Sequence, residues 1–433
     1  MSDRLAQPIP PRVLVLALYP CVVPSHGGQV RLKGLVDGMF AMGLHVRTMG
    51  VYANFQFPAE VRGPADLVIV DNEFNDAYFQ DPLFGDVFVT HFVMQRPMLA
   101  NQINDSIASF SPDIIWIEQP FLFPLVERAL ASVTTTSFTK PKVVLSSQNE
   151  ESKLKYHLAD MPGGLGVFDV TLFDRAEEIE SKALAHADLV VCISDEEAAR
   201  LRAQGIDALY LPATTAMNFS QKVAPNKPGS RSKPAEPYIA YAASSYWPNV
   251  EGFFDMFGDG LGFLRAHERL KVAGSVGEAI VQDSRFEARR SINEARADFV
   301  GFLPEADLER LYLEAAAVIV PITTGAGANL KMADALASGR PVISTPKGLE
   351  GYRELVADAM EQGVYEAATP IAFRQLCRLA VEGRLRAPPA NLRERFLPRT
   401  IAPRLVEIFT KVLETPAKVQ DEVSMADTLA VEP

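Results

Sequence analysis

Short runs of apolar and β-branched residues recur along the chain at 13–18, 67–70, 114–117, 143–145, 189–193, 238–242, 270–273, 318–320 and 342–344. Longer stretches with amphipathic spacing separate them. Inside each run the apolar residues are continuous rather than alternating, as in strands covered by helices on both faces of a parallel sheet. The pattern predicts an α/β protein built from βαβ units, in two doubly wound, Rossmann-like parallel sheets.

The length supports two units, because 433 residues exceed what one hydrophobic core usually holds. Composition changes at 217–237, which holds four prolines with Lys222, Lys227, Arg231 and Lys233 and almost no apolar periodicity. That stretch reads as a solvated linker between a first domain at 12–216 and a second at 238–400. Beyond it, Ile401, Leu405, Ile408 and Val412 recur at helical steps, predicting an amphipathic helix over 401–415 that braces the two domains. Residues 1–11, with Pro8, Pro10 and Pro11, read as a flexible N-terminus, and 416–433 as a disordered tail.

Hydrophobic residues at 48% and charged residues at 22% are ordinary globular usage. A formal net charge of -12 argues against a nucleic-acid partner, which needs clustered Lys and Arg to neutralise phosphates. The three cysteines, Cys21, Cys192 and Cys377, have no metal-motif spacing, which fits a reduced cytoplasmic setting and no bound metal. The N-terminal residues lack the apolar core of a secretory signal, and no apolar run approaches the roughly 20 residues that span a bilayer. Any membrane contact is therefore expected to be peripheral.

In open parallel sheets ligands bind beyond the carboxyl ends of the strands, where the next helix offers unpaired N–H groups and a positive dipole end. One such loop contains Gly27 and Gly28, whose missing Cβ atoms let backbone approach a ligand, although a plain tight turn reads equally well. A stronger segment follows the run at 318–320. Gly325 and Gly327 give a pliant strand-to-helix loop, Lys331 lies at the helix start, and Asp334 falls on the same helix face. The amides and Lys331 suit a diphosphate, and the Asp334 carboxylate suits ribose hydroxyls. The bland alternative is a capped helix with an exposed Lys–Asp pair, since this is neither a Walker A loop nor G-x-G-x-x-G.

The run from Gly327 through Ala328, Asn329, Leu330, Lys331 and Asp334 to Thr345 resembles the donor-binding motif of family 4 (group 1) glycosyltransferases with the GT-B fold. The likeness extends to 347–351, to 186–194 and to the Gly27-Gly28 loop, and covers most of 12–410. It implies two Rossmann-like domains facing across a cleft, the first for the acceptor and the second for a nucleoside-diphosphate sugar. Lys331 matches the family's phosphate-binding lysine. Asp334 stands where the family has the second Glu of E-x7-E, while Ala326 stands in place of the first, as in a subgroup with a Gly-Ala-Gly loop. Ser244, Ser245, Trp247 and Asn249 lie in a Trp-Pro-Asn loop that replaces the Arg and Lys of many relatives. They are taken as neutral donor contacts, with Asn249 also a helix N-cap. Glu118 occupies the second His position of a His-x-His-Glu-Pro stretch, as a candidate to orient the acceptor or take its proton. Residues 147–152 resemble a cleft-lining His-Asn-x-Glu stretch, which makes Asn149 and Glu150 acceptor-side candidates. His91 reads as structural or surface, and Met39, Met94 and Met98 as packing.

The resemblance implies a retaining hexosyltransferase-type enzyme that uses the nucleotide sugar as substrate with no cofactor or metal. Its acceptor is a sugar, a lipid-linked or another hydroxyl compound, in cell-surface polysaccharide or glycolipid synthesis. The cytoplasmic face of the inner membrane is the expected place. Two alternatives stay open on these residues: a nucleotide-sugar epimerase of the same fold, and a donor-binding protein without turnover, the latter motivated by Ala326 and the missing Arg.

Overall fold

Two parallel sheets organise the chain in the computed structural model, which describes residues 10–21, 23, 27–132, 140–160, 170–217, 219, 236–325 and 327–414. The first contains β1 (Arg12–Ala17), β2 (His45–Ala53), β3 (Leu67–Ile69), β4 (Ile114–Glu118), β5 (Lys142–Ser147), β6 (Leu189–Cys192) and β7 (Ala208–Tyr210). Their order is β3-β2-β1-β4-β5-β6-β7. The second contains β8 (Tyr238–Ala242), β9 (Arg269–Ala273), β10 (Ala297–Gly301), β11 (Ala317–Val320), β12 (Val342–Ser344) and β13 (Val364–Glu366), in the order β10-β9-β8-β11-β12-β13. Each pairing is parallel. Both orders reverse at the middle of the sheet, between β1 and β4 and between β8 and β11, which are the positions where doubly wound sheets open a crevice.

The continuous apolar runs have the expected cause. Leu14 and Leu16 of β1 enter one core cluster, while Val13, Val15 and Ala17 enter another on the opposite face. In β8, Tyr238 and Ala240 divide from Ile239 and Tyr241 in the same way. Four strands were not visible as runs: β2, β7, β10 and β13. β7, β10 and β13 lie at sheet edges, and the first half of β2, with His45, Arg47 and Thr48, is only partly covered, so polar residues are tolerated in these strands.

The helix Ile401–Glu414 follows the second domain in sequence but packs in the core of the first. Ile401, Leu405, Ile408, Phe409 and Val412 join Leu32, Leu35, Val36 and Met39 of α1 (Gly27–Ala41), with Phe409 edge-on to Trp116 at 6.1 Å between centroids. Close approach requires glycine in α1: a Cβ on Gly38 would lie 2.8 Å from Ile401, and one on Gly34 3.2 Å from it. Most of the proposed linker, residues 1–9 and the tail from 415 lie outside the described residues. Of the methionines read as packing, Met39 is buried, but Met98 is exposed, because it sits on the outward side of its helix.

Gly38→Val is expected to destabilise the protein by about 1–3 kcal/mol, since Ile401 and Leu405, both buried, must shift to admit the side chain. Urea unfolding of the variant against the parent chain checks this. An unchanged midpoint would show that the helix is not seated as described.

Candidate functional site

The loop from β11 to the helix Leu330–Ala337 leaves the second sheet at its reversal point. Gly325 and Gly327 have φ of 109° and 73°, a region that L side chains rarely adopt, so the sequence glycines are conformational requirements. Ala326 lies outside the described residues. Asn329 is the N-cap, yet its side chain does not cap the helix; Oδ1 instead accepts from Lys331 Nζ at 2.5 Å. The first-turn amides are therefore left without a side-chain acceptor, in the arrangement that receives anions.

Lys331 and Asp334 share a face without forming an ion pair. Among the described residues no carboxylate lies within ion-pair distance of Lys331 Nζ. Burial pushes the Lys331 ammonium down to about 8, against the opposing pull of Asp334. Burial likewise pushes Asp334 up to about 6, opposed by a hydrogen bond with Thr215 and by Lys331. A desolvated cation with no ion-pair partner favours a ligand that brings negative charge.

The loop after β8 forms the adjoining wall. Ser244 and Ser245 are exposed, and Trp247 opens the helix Trp247–Phe257. Asn249 is not the N-cap that the sequence suggested. The cap is Tyr246; Asn249 is buried in the first turn, and its Nδ2 donates back to the Ser244 carbonyl at 2.9 Å, fixing the loop. Gly252 lets this helix press on the Pro321 carbonyl, and Pro248 lies 3.4 Å from where a Gly325 Cβ would be. The helix that follows β8 is thus in contact with the loop after β11.

The first domain closes the site. Gly27 and Gly28 are the first residues of α1 rather than part of a loop. A Cβ on Gly27 would lie 2.6 Å from Leu330, one on Gly28 would lie 2.8 Å from Gln148 Oε1, and one on Gly327 would overlap Asn149 Oδ1. Asn149 therefore touches the glycine-rich loop directly. Gln148, which the sequence reading passed over, donates to Tyr19 Oη at 2.6 Å and to Glu118 Oε1 at 2.7 Å.

Two first-domain candidates are placed differently from expectation. Glu118 is completely buried at the end of β4 and paired with Arg31; Trp116 Nε1 donates to its other oxygen at 3.0 Å. With both oxygens engaged, it is a structural acid beneath the site rather than a free proton acceptor. Glu150 is half-buried, in ion pairs with Lys153 and with Arg200, the latter at 2.7 Å. The buried acid is its neighbour Glu151, which burial, with Asp86 adding to it, pushes up to about 7. The signal was in the sequence: the fourth position of His-Asn-x-Glu, counted from Gln148, is Glu151. His91 is exposed and hydrogen-bonded to Gln95 at 2.8 Å on the helix surface.

Comparison with known proteins bears on this arrangement. Residues 236–382, which hold the loops after β8 and β11, match the sequence profile described as Glycosyl transferases group 1. No curated protein sequence matches the chain. Among solved structures, sucrose-phosphate synthase from Thermosynechococcus elongatus superposes with a TM-score of 0.64 at 17% identity, over 93% of this chain and 99% of that one. The lipopolysaccharide outer core galactosyltransferase WaaB, in its apo form, gives 0.58 at 14% identity over 92% and 99%. Alr3699/HepE from Anabaena, in complex with UDP, gives 0.56 at 13% identity over 92% and 100%. The fold is GT-B.

The lowered Lys331 value has a consequence for stability. Between about 8 and the ordinary lysine value of 10.5 the unfolded chain binds more protons than the folded one, so stability contributed here rises with pH across that window. Lys331→Met is expected to remove that rise while leaving stability at pH ~7 equal or higher. Urea unfolding of both chains across the window checks it, and parallel pH profiles would refute it.

Proposed function

We propose that the chain is a glycosyltransferase that moves a hexosyl group from a nucleoside-diphosphate sugar to an acceptor hydroxyl, with retention of configuration. The observation that carries this reading is the unpaired, partly buried Lys331 at the open start of the helix Leu330–Ala337, at the reversal point of a GT-B second domain. The match of residues 236–382 to the group 1 profile, and the UDP complex of the Anabaena protein, support a nucleotide-sugar donor.

In the proposed reaction the bond between the anomeric carbon and the diphosphate oxygen breaks, and its electrons leave with the nucleoside diphosphate. The acceptor oxygen attaches to the same face, and its proton passes to the departing phosphate oxygen. Negative charge grows on the leaving group, where Lys331 and the first-turn amides of its helix stabilise it. Asp334 accepts from the ribose hydroxyls. Gly325, Gly327, Ala328, Ser244 and Ser245 supply backbone and hydroxyl contacts where relatives use a Glu and an Arg. Asn149, against Gly327, borders the acceptor side.

Cell-surface polysaccharide or glycolipid synthesis at the inner face of the cytoplasmic membrane is the proposed setting, supported by the lipopolysaccharide galactosyltransferase among the similar structures. Among the described residues no helix is long and apolar enough to cross a membrane, so the contact proposed is peripheral.

A panel of UDP, GDP, ADP, CDP and dTDP is expected to raise the thermal midpoint with at least one member. Lys331→Ala is expected to weaken that binding about 10- to 100-fold, as loss of a charged phosphate contact does, without loss of folding. Parent-chain affinity should fall above pH ~8 as Lys331 loses its proton. Near-normal binding and turnover in Lys331→Ala would sink the assignment. Conversion of a nucleotide sugar without any acceptor would indicate an epimerase, and binding without transfer across a broad acceptor panel a protein that has lost turnover.

A further inference from the structure

We infer that Tyr210, Asp195 and Glu196 of the first domain are positioning residues for the glycine-rich loop of the second, acting through the turn at Gly351. The inference rests on the reading of that loop as a nucleotide-sugar site.

Gly351 is gripped at both of its backbone polar groups by the other domain. Its N–H donates to Glu196 Oε2 at 3.1 Å, and its carbonyl accepts from Tyr210 Oη at 2.5 Å. Three residues on, the N–H of Glu354, in the first turn of the helix Arg353–Val356, donates to Asp195 Oδ2 at 3.2 Å. Asp195 and Glu196 are themselves the first two residues of the helix Asp195–Ala203. Acids at that position ordinarily serve their own helix. Here Ser194 Oγ takes the capping bond from Glu197 N at 3.2 Å and donates to Glu196 Oε2 at 2.7 Å, and Asp195 Oδ1 accepts from Glu196 N at 3.0 Å. Glu196 Oε2 and Asp195 Oδ2 also reach the other domain.

The turn bears directly on the candidate site. Gly351 has φ of 81°, and a Cβ there would lie 2.5 Å from the Ala328 Cβ. Its neighbours Leu349 and Tyr352 are fully buried in the cluster that also holds Met332 of the helix carrying Lys331. The turn therefore has first-domain hydrogen bonds on one side, the donor loop on a second, and the back of the Lys331 helix on a third. A displacement of the turn by a fraction of an ångström must be taken up by Ala328, because close-packed contacts transmit strain. Tyr210 ends β7 and the acids follow β6, so the carboxyl edge of the first sheet sets where the second domain holds its loop.

Calorimetric titration of UDP, GDP, ADP, CDP and dTDP into the full chain and into Glu196→Ala, Glu196→Gln and Tyr210→Phe tests this. Glu196→Ala and Tyr210→Phe are each expected to weaken nucleotide affinity about fivefold to tenfold. Glu196→Gln is expected to restore it, since a carboxamide oxygen still accepts from Gly351 N. Affinity unchanged in both weakening variants overturns the inference, even where their melting temperatures fall, because a purely structural contact would move stability alone. Should Glu196→Ala fail to fold, Tyr210→Phe, which removes one hydroxyl, decides the matter. Failure of the unaltered chain to bind any nucleotide overturns instead the reading on which the inference rests.

Discussion

The contact between the glycine-rich loop of the second domain and the first domain constrains the rest of the structure. Gly27 against Leu330 and Gly327 against Asn149 are two places where no side chain fits between the two domains. A surface built of glycines has no bulk to adjust, so backbone position itself must be right. The helix Ile401–Glu414, the hydrogen bonds at Gly351 and the Thr215–Asp334 contact all tie the two sheets together around that seam.

This constraint accounts for the unusual electrostatics. Lys331 and Asp334 are close enough to feel each other but are desolvated by the packed seam, so burial outweighs their attraction and moves each toward its neutral form. In the proposed reading, a bound diphosphate supplies negative charge at Lys331. On that reading, ligand binding and the protonation of this lysine are linked.

The acids of the first domain divide into roles that composition does not distinguish. Glu118, paired with Arg31 and bonded by Gln148 and Trp116, fixes the floor beneath Gly28. Glu180 accepts from the amides of Glu151 and Ser152 at 2.7 and 2.9 Å and so caps the helix Glu151–Ala159. Asp195 and Glu196 reach across the seam. Glu150, half-buried, pairs with Arg200, and the adjacent Glu151 is buried with a raised value.

Much of the fold was legible in the sequence because it depends on local pattern. Continuous apolar runs marked the strands buried on both faces, and the glycines, the helix start and Lys331 marked the loop after β11. Those signals are set by residues within a few positions of one another. The edge strands β10 and β13 were not legible, since partial exposure permits Asp298 or Glu366 within them. Nor were the fates of Glu118, Asn249 and Glu150, or the grip on Gly351. Each depends on a partner supplied by another part of the chain: Arg31 for Glu118, the Ser244 carbonyl for Asn249, Arg200 for Glu150, Tyr210 for the turn. Sequence alone determined the alternation of helices with most of the strands, and it marked the glycine-rich loop that carries Lys331. Only tertiary structure decided which acids face the site, because burial and hydrogen bonding across long chain separations set that choice.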